Sequence, residues 1–574
     1  YNLEDFVKSL ERPRRVFLMI KSGKPIDMVI DQLIGLLDEG DIIIDGGNSY
    51  FKDTIRRSNY LEDKKINYLG VGISGGEEGA RFGPAIMPSG NREAYEHVRD
   101  IFENISAKAY GEACCKYIST AGSGHYVKMV HNGIEYGDMQ LISEAYILLR
   151  DLGGMDNSQI QEVFEAWNKT ELESYLIEIT ANILKVKEAD GSYLVDKILD
   201  KSAQKGTGKW TNLEAIDLGV DVSVITAALN ARYMSGLKDE RVKLSKIIGQ
   251  NKAEFTGKKD ILDLMGLGRK DLVDLVKNSL YASKIVSYAQ GFKLLSVAEK
   301  EYGWDLNFAD IAKIFRGGCI IRAKFLNDIS AAFDQDKGVE NLLMTDFFAK
   351  EINDRLADLR KLVAIGAMGG IPITAMSAAL AYVDTYRSSR LGANIIQAQR
   401  DYFGAHTFER VDVDGVFHHD WIDEEGIIIF GGTGDLAYRK LFPALYNLHC
   451  LGLLPEDYKV VGVGRKGYSK EDYVEIIKKW TSEFSRLKYT EEDFSEFSKR
   501  IIYYQMDMTK VAQYRDLLAD LDYANGRKES GWTYYYAVPP KIFGFITDGI
   551  RLAGCPLSGA KVIIEKPFGD TMDA

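Results

Sequence analysis

The sequence predicts an α/β plus all-α protein, and three patterns in its 574 residues lead to that expectation. Short apolar runs alternate with amphipathic helices over residues 15–121, the pattern of a parallel, doubly wound sheet. From Ser123 to about Ala378 the periodicity becomes that of long helices, with few strand signals. At Gly426 strand–helix alternation begins again. The length suits roughly three or four domains. An apolar content of 46% with 27% charged residues is that of a soluble globular protein.

In chain order, RRVFLMI (14–20) reads as a strand and PIDMVIDQLIGLL (25–37) as a helix with Pro25 in its first turn. DIIIDGG (41–47) and NYLGVGI (67–73) are further strands, and REAYEHVRDIFENI (92–105) is a helix. Such sheets bind ligands beyond the carboxyl ends of their strands. Lys21, Ser22, Asn48, Ser74, Gly75 and Gly76 all lie at those ends. A dinucleotide-binding half opens with strand, GxGxxG and helix, and nothing before Arg14 supplies one. Residues 1–121 are therefore expected to form a Rossmann-type domain truncated at its opening βα unit.

Residues 122–378 are expected to form a large all-helical domain with its own core. Within it, Gly266 and Gly268 in GLGRKDL cap and separate two helices. Residues 379–421 form a C-terminal tail that starts helical and ends aromatic and loop-like, with His418–His419 read as surface residues. Residues 422–574 form a second, partial Rossmann-type domain. Its strands are GIIIF (426–430), KVVGVGR (459–465), RIIYYQMD (500–507), WTYYYAV (532–538) and KVIIEKP (561–567), and only IDEE links it to Trp421.

Composition narrows the function classes. A net charge of −12 argues against non-specific nucleic-acid binding, though it leaves room for a local basic pocket. No run of about 20 apolar residues is present, so no membrane span is expected. The opening YNLEDFVKSLERPRR has neither the apolar core of a secretory signal nor an initiator Met, so the chain is expected to begin inside a longer product. Five cysteines (Cys114, Cys115, Cys319, Cys450 and Cys555) are too scattered and odd in number for a disulfide framework, and the reading is a reducing cytoplasm. Neither a CxxC pair nor an HExxH helix occurs, so no zinc site is expected.

The chemistry centres on Ala121–Gln140. Lys128, His131, Asn132, Glu135 and Tyr136 follow the spacing i, i+3, i+4, i+7, i+8 and share one helix face. Val127, Met129, Val130, Ile134 and Met139 occupy the other faces, with Gly133 and Gly137 permitting close approach. A polar seam on a helix with apolar flanks points to a buried, ligand-facing surface; the alternative is an exposed, salt-bridged face. The Ser-Gly-Gly of GISGGEEGARFGPAIMPSG (72–90) offers backbone N–H groups to an anionic oxygen. Lys205, Arg232, Arg400 and His406 together suit a phosphate, which takes several cationic donors at once.

GISGGEEGARFGP, GHYVKMVHNGIEYGDMQ, QKGTGKW, FRGGCIIRAKFL and QAQRDYFGAHTFER resemble 6-phosphogluconate dehydrogenase, the decarboxylating enzyme of the pentose phosphate pathway, over about residues 1–421. The resemblance implies Lys128 as general base toward the substrate 3-hydroxyl and Glu135 as the acid that protonates the enediol carbon. It implies Ser74, Gly75, Gly76, His131 and Asn132 around the sugar acid, and Tyr136, Lys205 and Arg232 at its phosphate. Arg400 and His406 would reach the same phosphate in the neighbouring subunit of a homodimer. Lys21 and Asn48 would contact the cofactor NADP, with Asn48 also near 6-phosphogluconate.

IIIFGGTGDLAYRKLFPALYNL, VGVGR, YYYAVPPKIF and IIEKPFGD resemble the first domain of glucose-6-phosphate dehydrogenase over about 426–574. Gly432, Gly434 and Ala437 fit G-x-G-x-x-A, with Asp435 in the same turn. Arg465 stands where an acidic ribose ligand is usual and would favour the NADP 2′-phosphate, with Lys440 and Lys566 near the phosphates. The chain stops after EKPFGD, ahead of that family's catalytic His motif, so no oxidation of glucose 6-phosphate is expected. Two other readings stay open: a β-hydroxyacid dehydrogenase acting on an unphosphorylated acid, and a non-catalytic NADP-binding module.

Overall fold

The computed structural model describes residues 2–204, 206–248, 258–419, 421, 426–455, 458–521, 531–554 and 561–565. They fall into two compact units, Tyr1–Ser389 and Arg390–Ala574.

After a short helix, Leu3–Lys8, the first unit runs through β1 (Arg15–Leu18), α1 (Lys24–Ile34), β2 (Ile42–Asp45), α2 (Phe51–Glu62), β3 (Asn67–Ser74) and β4 (Ala85–Gly90). Strands β1, β2 and β3 pair in parallel, and their apolar runs are covered on both faces by separate clusters around Ile43 and Ile44. The sheet order is β1-β2-β3-β4. Strand β4 was not among the expected strands, and it runs antiparallel to β3, so the sheet is mixed. Pro88 disguises β4 in the sequence but is tolerated at the end of the sheet order. The helix expected over 92–105 is two pieces, Arg92–Glu96 and Arg99–Ile105. His97 and Val98 donate to carbonyls three residues back, and this tighter turn lets Tyr95, Val98 and Phe102 all reach the core.

The helical part is built on α3 (Ser123–Asp151), with α4 (Thr207–Asp217) and α5 (Ser223–Gly236) beside it. The 34-residue α6 (Arg269–Tyr302), α7 (Asp346–Met368) and α8 (Thr374–Tyr386) complete its frame. Helices α3 and α6 approach closely: a Cβ on Gly137 would lie 2.3 Å from Ser287 Oγ, and one on Gly291 would lie 2.5 Å from Ile134. Between them Lys284 Nζ donates to Asp138 Oδ2 at 2.6 Å, both residues being buried. Gly266 is left-handed at φ 62 and Gly268 is the N-cap of α6, as their helix-ending role requires. The boundary expected at 378 falls within α8, a continuous helix, whereas the compact units separate after Ser389.

In the second unit, α9 (Ala393–Gly404) precedes a two-residue ladder, Phe408–Glu409 with Val416–Phe417. A five-stranded parallel sheet follows, formed by β5 (Gly426–Phe430), β6 (Lys459–Gly464), β7 (Ile501–Gln505), β8 (Trp532–Tyr536) and β9 (Lys561–Ile564) in the order β7-β6-β5-β8-β9. All five coincide with expected strands. The expected IDEE linker lies outside the described residues. Among the described residues no helix is long and apolar enough to cross a membrane.

Candidate active site

Helix α3 lies so close to β3 that a Cβ on Gly72 would stand 2.6 Å from both Lys128 Cβ and Gly124 O. This contact places the seam of α3 at the carboxyl end of β3. Lys128 is only 7% exposed. Its Nζ donates to Asn132 Oδ1 and lies 3.3 Å from His131 Nδ1. Burial pushes the Lys128 amine below its ordinary pKa, and Glu135 only partly offsets this.

His131 is fully buried, with Nε2 3.1 Å from Ser74 Oγ and its ring edge-on to Phe315. Burial, reinforced by Lys128, holds the imidazole pKa well below its ordinary value, so the ring is neutral near pH 7. Asn132 Nδ2 donates to Thr207 Oγ1 at 2.8 Å. Glu135 Oε2 lies 3.9 Å from His131 Nδ1. Burial raises the Glu135 carboxyl, while Lys128 and Arg232 pull it back. The seam is therefore largely withdrawn from solvent, and burial shifts the amine down and the acid up.

Its far end is aromatic and cationic. The Tyr136 ring is buried against Gly208, where an added Cβ would meet it at 2.5 Å. The Arg232 guanidinium lies 3.6 Å from the Tyr136 ring centroid. Its other contacts are Ala203 O at 3.2 Å and Met139 Sδ at 3.4 Å. Arg232 is thus held by an aromatic face and a carbonyl at the end of the seam. Lys205 lies outside the described residues.

Ser74, Gly75 and Gly76 turn the end of β3 into a short helix, Gly76–Phe82. Gly75 has φ 134, and a Cβ there would also meet Gly318 O at 2.7 Å, so both its backbone and its surroundings call for glycine. The Asn48 loop is shaped by buried Asp45, which accepts from Gly47 N, Ser49 Oγ and Tyr68 OH at 3.1, 2.6 and 2.9 Å. Asn48 and Lys21 are exposed at their strand ends.

Arg400 and His406 are exposed in the second unit, on and just after α9. His418 is exposed, as its surface reading required, but it also lies 2.8 Å from the buried Asp401 carboxylate. In the strand–turn–helix after β5, a Cβ on Gly432 would lie 2.7 Å from Gly462 Cα and 2.8 Å from Tyr473 Oη. The N–H groups of Gly431 and Gly432 bond Val463 O, and that of Gly434 bonds Gly431 O. Asp435, Lys440 and Arg465 are exposed around this turn; Lys566 lies outside the described residues.

The residue reading did not assign Thr207, Gly208 or Phe315 to the site. Thr207 and Gly208 lie in QKGTGKW, after the left-handed Gly206, and Phe315 opens FRGGCIIRAKFL, so the signal for them lay in these motifs rather than in periodicity.

A doubly wound sheet whose strand ends meet a lysine–glutamate seam defines a nucleotide-dependent dehydrogenase. Residues 1–119 match the family model "NAD binding domain of 6-phosphogluconate dehydrogenase", and residues 124–421 match "6-phosphogluconate dehydrogenase, C-terminal domain". Residues 428–574 match "Glucose-6-phosphate dehydrogenase, NAD binding domain". A decarboxylating 6-phosphogluconate dehydrogenase of Lactococcus lactis subsp. lactis (strain IL1403) is 52% identical over 427 residues, covering 74% of this chain and 88% of the relative. An NADP(+)-dependent, decarboxylating relative from Bacillus subtilis (strain 168) is 50% identical over 424 residues, with the same coverage. The solved Plasmodium falciparum 6-phosphogluconate dehydrogenase superposes with a TM-score of 0.69 at 44% identity, covering 73% of this chain and 88% of that one. The chain belongs to the 6-phosphogluconate dehydrogenase family and carries a glucose-6-phosphate dehydrogenase-like nucleotide-binding domain after it.

Proposed function

We propose that the protein oxidatively decarboxylates 6-phosphogluconate to ribulose 5-phosphate and carbon dioxide, reducing NADP. The observation that carries this reading is the seam of buried Lys128 and His131 and half-buried Asn132 and Glu135, with His131 against Ser74 and Tyr136 and Arg232 at its end. Bound NADP supplies the hydride acceptor. The exposed Lys21 and Asn48 at strand ends of the first sheet suit its polar groups. In the second unit Arg465 follows β6, whose Gly464 would set a Cβ 2.6 Å from Thr433 in the glycine turn. That cation beside a tight turn suits a 2′-phosphate, with Gly432, Gly434, Asp435 and Lys440 around it, and Lys566 is assigned to the same ligand.

Lys128, whose amine burial pushes below its ordinary pKa, takes the proton from the 3-hydroxyl as the C3 hydride departs. The ketone formed lies β to the carboxylate, so the C1–C2 bond breaks with release of carbon dioxide, and its electron pair forms the enediol as Lys128 returns its proton to the C3 oxygen. Protonated Glu135 then delivers its proton to C2 while Lys128 takes the proton from the C3 hydroxyl again. Ser74, Gly75, Gly76, His131, Asn132 and Asn48 hold the sugar acid, and Tyr136, Lys205 and Arg232 bind its phosphate. Arg400 and His406 complete that phosphate site in a partner copy, which makes the working form a cytoplasmic homodimer. In this reading 1–121 binds cofactor, 122–378 carries substrate and dimer contacts, 379–421 is the exchanged tail, and 422–574 is the added nucleotide-binding domain.

NADPH absorbance with 6-phosphogluconate tests the proposal. Turnover competitively inhibited by inorganic phosphate is expected. Turnover insensitive to phosphate would point to an unphosphorylated β-hydroxyacid, and no turnover with any hydroxyacid would defeat the enzymatic reading.

A further inference from the structure

The tail contains a buried carboxylate that the proposed chemistry does not use. Asp401 is fully buried, yet it follows exposed Arg400 on α9. Its Oδ1 accepts from Thr407 N at 2.9 Å and lies 2.8 Å from His418 Nδ1; its Oδ2 accepts from His419 N at 3.0 Å and Trp421 Nε1 at 2.8 Å. One carboxylate thus ties α9 to three later points of the chain. Burial alone would raise its pKa, but these donors hold the carboxyl well below the usual carboxylate range.

The segment so tied is otherwise unfavourable. Ala405 and Thr407, on either side of His406, both have left-handed backbones, at φ 50 and 62. Non-glycine residues adopt this conformation only where neighbouring contacts impose it. Gln397 completes the arrangement: its Nε2 donates to Thr407 O at 2.6 Å, and its Oε1 accepts from Arg400 at 3.1 Å. The His406 ring folds onto Gly404, where an added Cβ would lie 2.8 Å from Nε2, and it meets Phe403 edge-on. Contacts within the tail thus set the positions of Arg400 and His406 relative to one another.

We propose that Asp401 is a positioning residue that pre-organises Arg400 and His406 as one phosphate-gripping unit. This inference rests on the phosphate role given to those two residues above. Holding both groups in the bound arrangement beforehand removes an ordering cost from substrate binding. The effect should therefore fall on substrate affinity and leave the proton transfers at Lys128 and Glu135 alone.

The test uses Asp401→Asn in the full chain. An amide cannot accept from all four donors, because two of them face its NH2 whichever way it turns. The KM for 6-phosphogluconate should rise about tenfold, with kcat within about twofold. In an Arg400→Ala/His406→Ala background the same substitution should add almost nothing, since it acts through those two residues. His418→Ala removes one donor and keeps the carboxylate, so it should raise KM in the same direction; it decides the matter should Asp401→Asn not fold. An unchanged KM, an equal fall in kcat, or a full extra effect in the double-alanine background would overturn the role of Asp401. If Arg400→Ala/His406→Ala itself left KM unchanged, the phosphate reading would fall first.

Discussion

Replacing Lys128 by Met separates catalysis from structure more cleanly than any other substitution at the site. Methionine fills similar space and removes the amine that contacts Asn132 Oδ1 and His131 Nδ1. Loss of a general base typically costs about 10²–10⁴ in rate, or about 3–5 kcal/mol in activation free energy. The KM should change little, because Ser74, Arg232 and Tyr136 remain. Stability should move the opposite way. The folded-state pKa of Lys128 is depressed by burial below the unfolded value. The unfolded chain therefore binds more protons between those two values, and the stability of the wild-type protein rises with pH across that window. Below the folded pKa the burial penalty is fully present, and Met abolishes it. Lys128→Met should thus lower kcat while raising Tm at pH values below that window. Initial rates of NADPH formation and calorimetry on the same preparation give both numbers. A kcat within tenfold of wild type, or a rate loss accompanied by a large fall in Tm, would refute the reasoning.

Three further expectations follow from the same geometry. Glu135→Gln should lower kcat about 10²–10⁴-fold. Because burial raises the folded Glu135 pKa, its protonated form contributes stability in full below the unfolded value, and this is lost as pH rises through the folded value. The glutamine variant should flatten that slope in Tm against pH, and an unaltered slope would contradict the assigned environment. Lys284→Met leaves the buried Asp138 without its cation, with only the Tyr288 hydroxyl still donating to it, so urea unfolding should show a loss of about 3–5 kcal/mol, partly recovered by adding Asp138→Leu; a loss below about 1 kcal/mol would contradict this. Gly72→Ala would push α3 away from β3, costing about 1–3 kcal/mol in calorimetry together with activity; unchanged values of both would mean that the contact can relax.

Much of this was legible in the sequence because local periodicity reports local structure. The seam of α3 declared itself through polar residues at helical spacing, and the parallel strands through their doubly buried apolar runs. Strand β4 escaped because Pro88 masks the run, and the break at His97–Val98 escaped because it leaves the helical pattern of apolar residues almost intact. The partners of the seam were harder to see. Thr207 and Gly208 open α4 and Phe315 ends another helix, all remote in sequence, and only tertiary packing brings them to Asn132, Tyr136 and His131. Asp401 was hidden for a related reason: beside Arg400 it reads as one more surface charge, and its four donors lie between 6 and 20 residues away.

The central claim is that one buried helix face both removes a proton from the 3-hydroxyl and returns one after carbon dioxide leaves. Incubating the protein with NADP and 6-phosphogluconate labelled with ¹³C at C1, while following NADPH by absorbance and labelled carbon dioxide by mass spectrometry, tests it directly. Equimolar NADPH and labelled carbon dioxide are expected, with both lost together in Lys128→Met. NADPH without labelled carbon dioxide, or equal yields of both from Lys128→Met and wild type, would contradict it.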